Sequence, residues 1–226
     1  STKAILINSP SNPTGAVLSL DELKAIAQFA KERDLIVISD EPYESIIYDG
    51  RKNYSIAALP DMFERTITVN SFSKTFAMTG WRVGYAVAEE AFINAMTVMQ
   101  ESLTSSVNAA SQYAACVALT SPKDEVEEMR RVYEKRVELL ERGLNRIKGF
   151  SFIKPEGAFY AFVNIKDTGM TSEEVSQRLI EECQVVTTPG SAFGAAGEGY
   201  IRISFASSSE ILEEAVNRIQ SVFGTK

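Results

Sequence analysis

The sequence predicts an α/β protein in which a mostly parallel sheet of βαβ units is followed by a small α+β domain. Three observations predict it. Short, continuous, β-branched apolar runs end in polar residues, an amphipathic helical stretch separates the first two runs, and after Gly149 short strands alternate with helices.

The first three runs cover 4–7 before Asn8, 35–38 before Ser39 and Asp40, and 66–69 before Asn70 and Ser71. Continuous rather than alternating apolar character is expected of strands buried on both faces of a parallel sheet. Between the first two runs, Ser19 can cap a helix, Glu22 stands three residues on, and Leu23, Ile26, Ala27 and Ala30 form one apolar face. That makes a βαβ unit. The run 83–88 is a fourth candidate strand whose direction the sequence leaves open. From Glu89 to about Thr120 the pattern is helical. The stretch 122–147 reads as one long charged helix with Val126, Met129, Val132, Tyr133, Val137 and Leu140 on its inner side. Beyond it, strands are expected at 151–153, 158–165, 185–188 and 200–205, and helices at 171–183 and 208–223. The expected domains are therefore 1–121, a connecting helix at 122–147, and a small domain at 148–226.

The chain has 226 residues, 45% apolar and 23% charged, as expected of a globular protein. A net charge of −7 without a run of Lys or Arg provides no footprint for nucleic acid or an acidic membrane. There is no histidine, which excludes Ser-His-Asp and Cys-His pairs and any imidazole metal site. Acid–base chemistry must use Lys, Asp, Glu, Tyr or Cys. Cys116 and Cys183 lie far apart in apolar helical patterns and read as buried free thiols, which fits a reducing compartment. No secretory leader pattern opens the sequence, and no apolar stretch approaches the roughly 20 residues that span a bilayer. The expected location is the cytoplasm.

In open α/β sheets, ligands bind beyond the carboxyl ends of the strands. Asn12, Asp40, Tyr43, Ser71, Ser73 and Lys74 are thereby candidates to converge on one crevice. Asp40 follows four apolar residues, so its carboxylate sits at the rim of the core and needs a cation or hydrogen-bond donor. The plainer alternative makes it the cap of a turn formed with Glu41 and Pro42. In the segment 70–85, Lys74 lies among hydroxyls and apolar side chains with Arg82 nearby, a setting in which a desolvated amine becomes nucleophilic and suits Schiff-base chemistry. Ser71, Ser73 and Arg82 supply hydroxyls and a guanidinium able to grip a phosphate. Either charge taken alone would default to a solvated loop residue.

Four signatures carry a resemblance: Asn8-Ser-Pro-Ser-Asn12-Pro-Thr-Gly15; Ser39-Asp40-Glu-Pro-Tyr43-Glu44; Ser71-Phe-Ser-Lys74-Thr with Gly80-Trp-Arg82-Val-Gly84; and Pro189-Gly-Ser followed by Tyr200-Ile-Arg202-Ile-Ser204. Together, in this order, they resemble the class I, fold-type I pyridoxal-phosphate aminotransferases, especially the aspartate/aromatic branch. The resemblance implies pyridoxal 5′-phosphate as cofactor. It implies that Lys74 holds the cofactor as a Schiff base and shuttles the reacting proton, and that Asp40 pairs with the pyridine nitrogen. It further implies that Asn12 and Tyr43 bond the phenolic oxygen, and that Ser71, Ser73 and Arg82 grip the phosphate. It implies that Arg202, which in mid-strand would otherwise read as an outward-facing charge, takes the substrate α-carboxylate, a two-pronged task that Lys would perform poorly.

Against the family pattern, the sequence lacks the first half of the cofactor domain. The resemblance implies transfer of an amino group between an L-amino acid, aspartate by preference with aromatic amino acids or alanine as alternatives, and a 2-oxo acid such as 2-oxoglutarate. A Cβ lyase of the same fold, or a non-catalytic fragment needing its N-terminal half, are the competing readings. The expected partners are a second copy in a homodimer, a complementary N-terminal segment, or both.

Overall fold

The computed structural model describes residues 2–226, which fall into two compact units. One comprises the residues up to Pro10 together with Val17–Glu127; the other comprises Ser11–Ala16 and Glu128–Lys226.

The first unit contains β1 (Ala4–Asn8), α1 (Leu20–Glu32), β2 (Ile36–Asp40), β3 (Thr66–Ser71), the single-turn helix α2 (Phe72–Thr75), β4 (Gly84–Val87), α3 (Glu90–Thr104) and α4 (Ala109–Thr120). Its sheet runs in the order β1-β2-β3-β4, with β1, β2 and β3 parallel and β4 antiparallel to β3. Register aligns Asn8 with Asp40, Asp40 with Val69 and Ser71 with Gly84, so the polar strand ends meet at one edge of the sheet. Ser19 and Glu22 form the expected capping box, and α1 buries Leu23, Ala27 and Ala30 in a cluster with Leu35, Val37, Ile56 and Met62. At Gly84 any Cβ would stand 2.7 Å from the Asn70 carbonyl oxygen, so the β3–β4 pairing needs glycine there.

A helix α5 (Asp124–Leu144) begins in the first unit and belongs to the second from Glu128 onward. The second unit adds β5 (Ser151–Phe152), β6 (Tyr160–Asn164), α6 (Ser172–Cys183), β7 (Thr188–Pro189), β8 (Tyr200–Ser204) and α7 (Ser209–Phe223). Its antiparallel sheet has the order β5-β6-β8-β7. Val137, Leu140, Val163, Leu179, Ile201 and Phe205 are buried in this unit. A Cβ on Gly190 would fall 1.9 Å from the Gly197 carbonyl oxygen, so the backbone between β7 and β8 closes on itself only with glycine at that position.

Several expectations need correction. Cys116 is exposed and only Cys183 is buried, because α4 turns Ser111 and Ala115 inward and leaves Cys116 on its outer side. The first strand is not buried on both faces: β1 is an edge strand and Leu6 is 68% exposed. The helical stretch after Glu89 is broken at 105–108, where Ser105 has a φ of 61° and Asn108 caps a new helix through the Ser111 N–H. The third small-domain strand starts only at Thr188. The segment Ser11–Ala16 packs with the second unit, although it lies within the range expected for the first.

Candidate active site

At the carboxyl edge of the first unit's sheet, β2 ends on Asp40. Its Oδ2 accepts from Asn8 Nδ2 at 3.0 Å, across the β1–β2 pairing. Among the described residues no cation pairs with it, and burial pushes its carboxyl above the ordinary range against the opposing pull of the Asn8 bond. The side chain does not cap the following turn, so the plainer alternative for Asp40 falls away.

The chain after Asp40 is locked from several sides. The Glu41 N–H donates to the Val69 carbonyl at 2.9 Å, and the Glu41 carboxylate, 5% exposed, accepts from Ser39 and Ser55 hydroxyls at 2.8 and 2.7 Å. Tyr43 is buried, and the Ile46 N–H closes a turn on its carbonyl at 2.8 Å. Glu44 Oε1 accepts from the Thr75 hydroxyl at 3.0 Å, tying this segment to the turn of helix that carries Lys74.

That turn starts at Ser71, whose hydroxyl accepts from the Ser73 N–H at 3.2 Å. Lys74 is half-buried on α2. The Thr79 hydroxyl donates to the Ser73 carbonyl at 2.9 Å, folding the following loop back over α2. Arg82 ends the loop in the left-handed region, φ 51° and ψ 49°, and one guanidinium nitrogen donates to the Thr79 carbonyl at 3.0 Å. A non-glycine residue there costs roughly 1 kcal/mol, a strain typical of ligand-holding segments. Two residues later Gly84 pairs with Ser71, so Arg82 and Ser71 share one end of the sheet. Arg82 also lines a cavity of about 870 Å³ with Trp81, Asn108 and Ser111.

Burial raises Glu41 and Glu44 as well, and Tyr85 is raised by burial with help from both carboxylates. A carboxyl raised on folding binds more protons folded than unfolded, so its contribution to stability is present at acid pH and is lost as pH rises through the folded-state value. We expect Glu44→Gln to lose less stability than the native chain between weakly acid and neutral pH. Urea unfolding across that window checks this, and an unchanged pH slope overturns it.

The second unit holds Asn12 and Arg202. Arg202 pairs with Phe162 and Thr188 across the sheet, and its guanidinium carbon lies 4.5 Å from the Tyr160 ring centre and 4.9 Å from that of Phe193. One terminal nitrogen donates to Asn12 Oδ1 at 2.8 Å and the other to Thr188 Oγ1 at 3.2 Å, while the buried Nε has no partner. Arg202 is thus no outward-facing strand charge. Nothing in the sequence marks Tyr160, Phe193 and Thr188 as its holders, because strand pairing and packing beyond the local sequence bring them beside Arg202.

The family of aminotransferases of class I and II matches residues 1–219. The chain belongs to that family. It is 53% identical over its full length to the aromatic-amino-acid aminotransferase 2 of Thermococcus litoralis and, equally, to the aspartate aminotransferase of Pyrococcus abyssi. The chain spans 58% of the length of each of these curated relatives. Among solved structures, an aromatic aminotransferase of Pyrococcus horikoshii superposes with a TM-score of 0.95 at 52% identity, over 98% of this chain and 60% of that one. The aspartate aminotransferase of Thermus thermophilus with maleate gives 0.91 at 38% identity, over 98% and 57%. The expected fold, a portion of a fold-type I large domain followed by a small α+β domain, agrees with these family members. Aspartate and aromatic aminotransferases of the family use pyridoxal phosphate. No helix among the described residues is long and apolar enough to cross a membrane.

Proposed function

We propose that this chain supplies the lysine, the cofactor-nitrogen carboxylate and the substrate-carboxylate arginine of a pyridoxal-phosphate-dependent aminotransferase. The observation that carries the reading is Asp40. A half-buried carboxylate at the ligand-binding end of a parallel sheet, raised by burial and lacking a cation, fits a protonated ring nitrogen as its missing partner. Ser71 and Arg82 at the same end of the sheet fit the phosphate.

When bound, the cofactor supplies an electron sink for the bond broken at the substrate's α-carbon. In this reading Asp40 holds the proton on the ring nitrogen, and Tyr43 bonds the phenolic oxygen. Ser71, Ser73 and Arg82 fix the phosphate, and the Lys74 amine takes and returns the proton at the α-carbon. Arg202 binds the α-carboxylate. For Asn12, a share in binding the phenolic oxygen and the carboxylate is supported by the family pattern and by its bond to Arg202.

Aspartate as the preferred amino acid and aromatic amino acids as an alternative are supported by the relatives' names; alanine as a further alternative and 2-oxoglutarate as the oxo acid rest on the resemblance alone. The partners are a second copy in a homodimer, a complementary segment, or both. The exposed apolar side chains of α3 and α4, among them Val98, Met99, Leu103 and Tyr113, support such a covering partner. The location is the cytoplasm.

The test is to mix the chain with pyridoxal phosphate, reduce with borohydride and map the modified peptide. The lysine amine condenses with the aldehyde carbon and releases water; hydride then reduces the carbon–nitrogen double bond to a stable secondary amine. A single pyridoxyl group on Lys74 is expected, and random modification of surface lysines overturns the assignment. Product analysis then separates transfer, which yields a new amino acid from the added oxo acid, from lyase action, which yields pyruvate and ammonia.

A further inference from the structure

The geometry points to Glu44 and Thr75 as a positioning pair for the Lys74 amine: we propose that their hydrogen bond fixes the turn of α2 on which Lys74 sits against the segment that carries Tyr43. The inference rests on the reading of Lys74 as the cofactor-binding lysine.

α2 is a four-residue helix, far too short to hold its own geometry, so the direction of a side chain on it is set from outside. Its first residue is anchored twice, by the packing of Phe72 with Val83 and Ala115 and by the Phe72 N–H bond to the Val83 carbonyl at 3.3 Å. Its last residue, Thr75, is 1% exposed. A buried threonine hydroxyl in a helix has an easy local partner in a backbone carbonyl one turn back. Here the hydroxyl instead reaches across 31 residues to Glu44 Oε1 at 3.0 Å. The acceptor is itself immobile, because the turn at Tyr43, the Glu41 bonds to Ser39 and Ser55, and the burial of Ile46 and Tyr48 hold its backbone. Lys74 and Tyr43 are the immediate neighbours of the two bonded residues.

Stability alone does not account for this choice. Burial raises the Glu44 carboxyl, and its Oε2 is buried without a partner. Two apolar side chains of similar volume would join the segments without that desolvation cost. What the polar pair adds is direction, since a hydrogen bond fixes one rotamer and one register, whereas an apolar contact tolerates sliding.

The test follows the rate at which Lys74 is pyridoxylated in the full chain, by borohydride trapping and mass spectrometry, beside the affinity for pyridoxamine 5′-phosphate. That probe carries an amine in place of the aldehyde and cannot condense with lysine. Thr75→Val is expected to slow labelling of Lys74 about tenfold, the loss of one well-placed bond to a carboxylate, with pyridoxamine phosphate affinity unchanged. Thr75→Ser and Glu44→Gln, which keep donor and acceptor, should label at the native rate. Glu44→Leu reaches the same slowing from the other side, should Thr75→Val fail to fold. Native-rate labelling of Thr75→Val or Glu44→Leu overturns the proposal, as does equal slowing in Thr75→Ser. If the native chain itself is not labelled at Lys74, the cofactor-lysine reading fails and this inference with it.

Discussion

Lys74→Ala is expected to abolish the borohydride-stable pyridoxyl adduct and with it any transamination, while leaving the phosphate grip intact. The reason is chemical rather than structural. The amine sits half-buried on α2, between Ser73, whose N–H caps onto Ser71, and Thr75, whose hydroxyl reaches Glu44. Removing it takes away the only group of this turn able to form a carbon–nitrogen bond with an aldehyde. The backbone is expected to tolerate alanine, a strong helix former at an incompletely buried position. Ser71 and Arg82 do not depend on the Lys74 side chain for their hydrogen bonds, so pyridoxamine 5′-phosphate should bind the variant much as it binds the native chain. Mass spectrometry of the reduced digest checks the first half of this expectation and calorimetry the second. A variant that still forms one specific reducible adduct would show that another lysine is the nucleophile.

Much of the fold was legible in the sequence, and the reasons are local. Runs such as Leu35-Ile-Val-Ile38 ending at Ser39 and Asp40 mark a buried parallel strand and its ligand-facing end, and Ser19 with Glu22 marks a helix start through its own hydrogen bonds. Where the reading failed, the deciding contacts lie far apart in the chain. Leu6 belongs to an apolar run, yet it is exposed because Ile5 and Ile7 turn toward the α1 cluster and strand alternation puts Leu6 on the opposite face. Ser11–Ala16 looks like a loop of the first unit, but the Gly15 carbonyl accepts from the Glu156 and Gly157 N–H groups, both at 2.9 Å, and so joins the second. For the candidate site, Asp40 and Lys74 could be singled out from type and context, whereas Arg202 rested on the resemblance, since a mid-strand arginine by itself reads as an outward-facing charge. Their holders could not. Glu44 and Thr75 stand within the signatures without a role of their own until the fold brings the Thr75 hydroxyl to 3.0 Å from Glu44 Oε1.

Arg202→Lys is expected to raise KM for the amino-acid substrate by roughly ten- to hundredfold with a smaller change in kcat, because the interaction lost serves mainly ground-state carboxylate binding. The native guanidinium is planar and lies near the rings of Tyr160 and Phe193, with its two terminal nitrogens pinned to Asn12 and Thr188. Each of those nitrogens carries a second N–H, so a carboxylate can be met by a fork of fixed orientation. A lysine ammonium offers one point of charge on a flexible stem, cannot bond Asn12 and Thr188 in the same plane, and packs less well between two rings. Asn12 would lose its partner at 2.8 Å and with it the restraint on its own amide. Succinate binding to the chain, followed by calorimetry, reads the carboxylate contact without any turnover and should weaken in step with KM. An unchanged KM together with unchanged succinate affinity would remove Arg202 from the carboxylate site. Weaker succinate binding with an unaltered thermal midpoint would place the loss in recognition rather than in the packing of β8, where Ile201 and Ile203 on either side of Arg202 remain buried in the core.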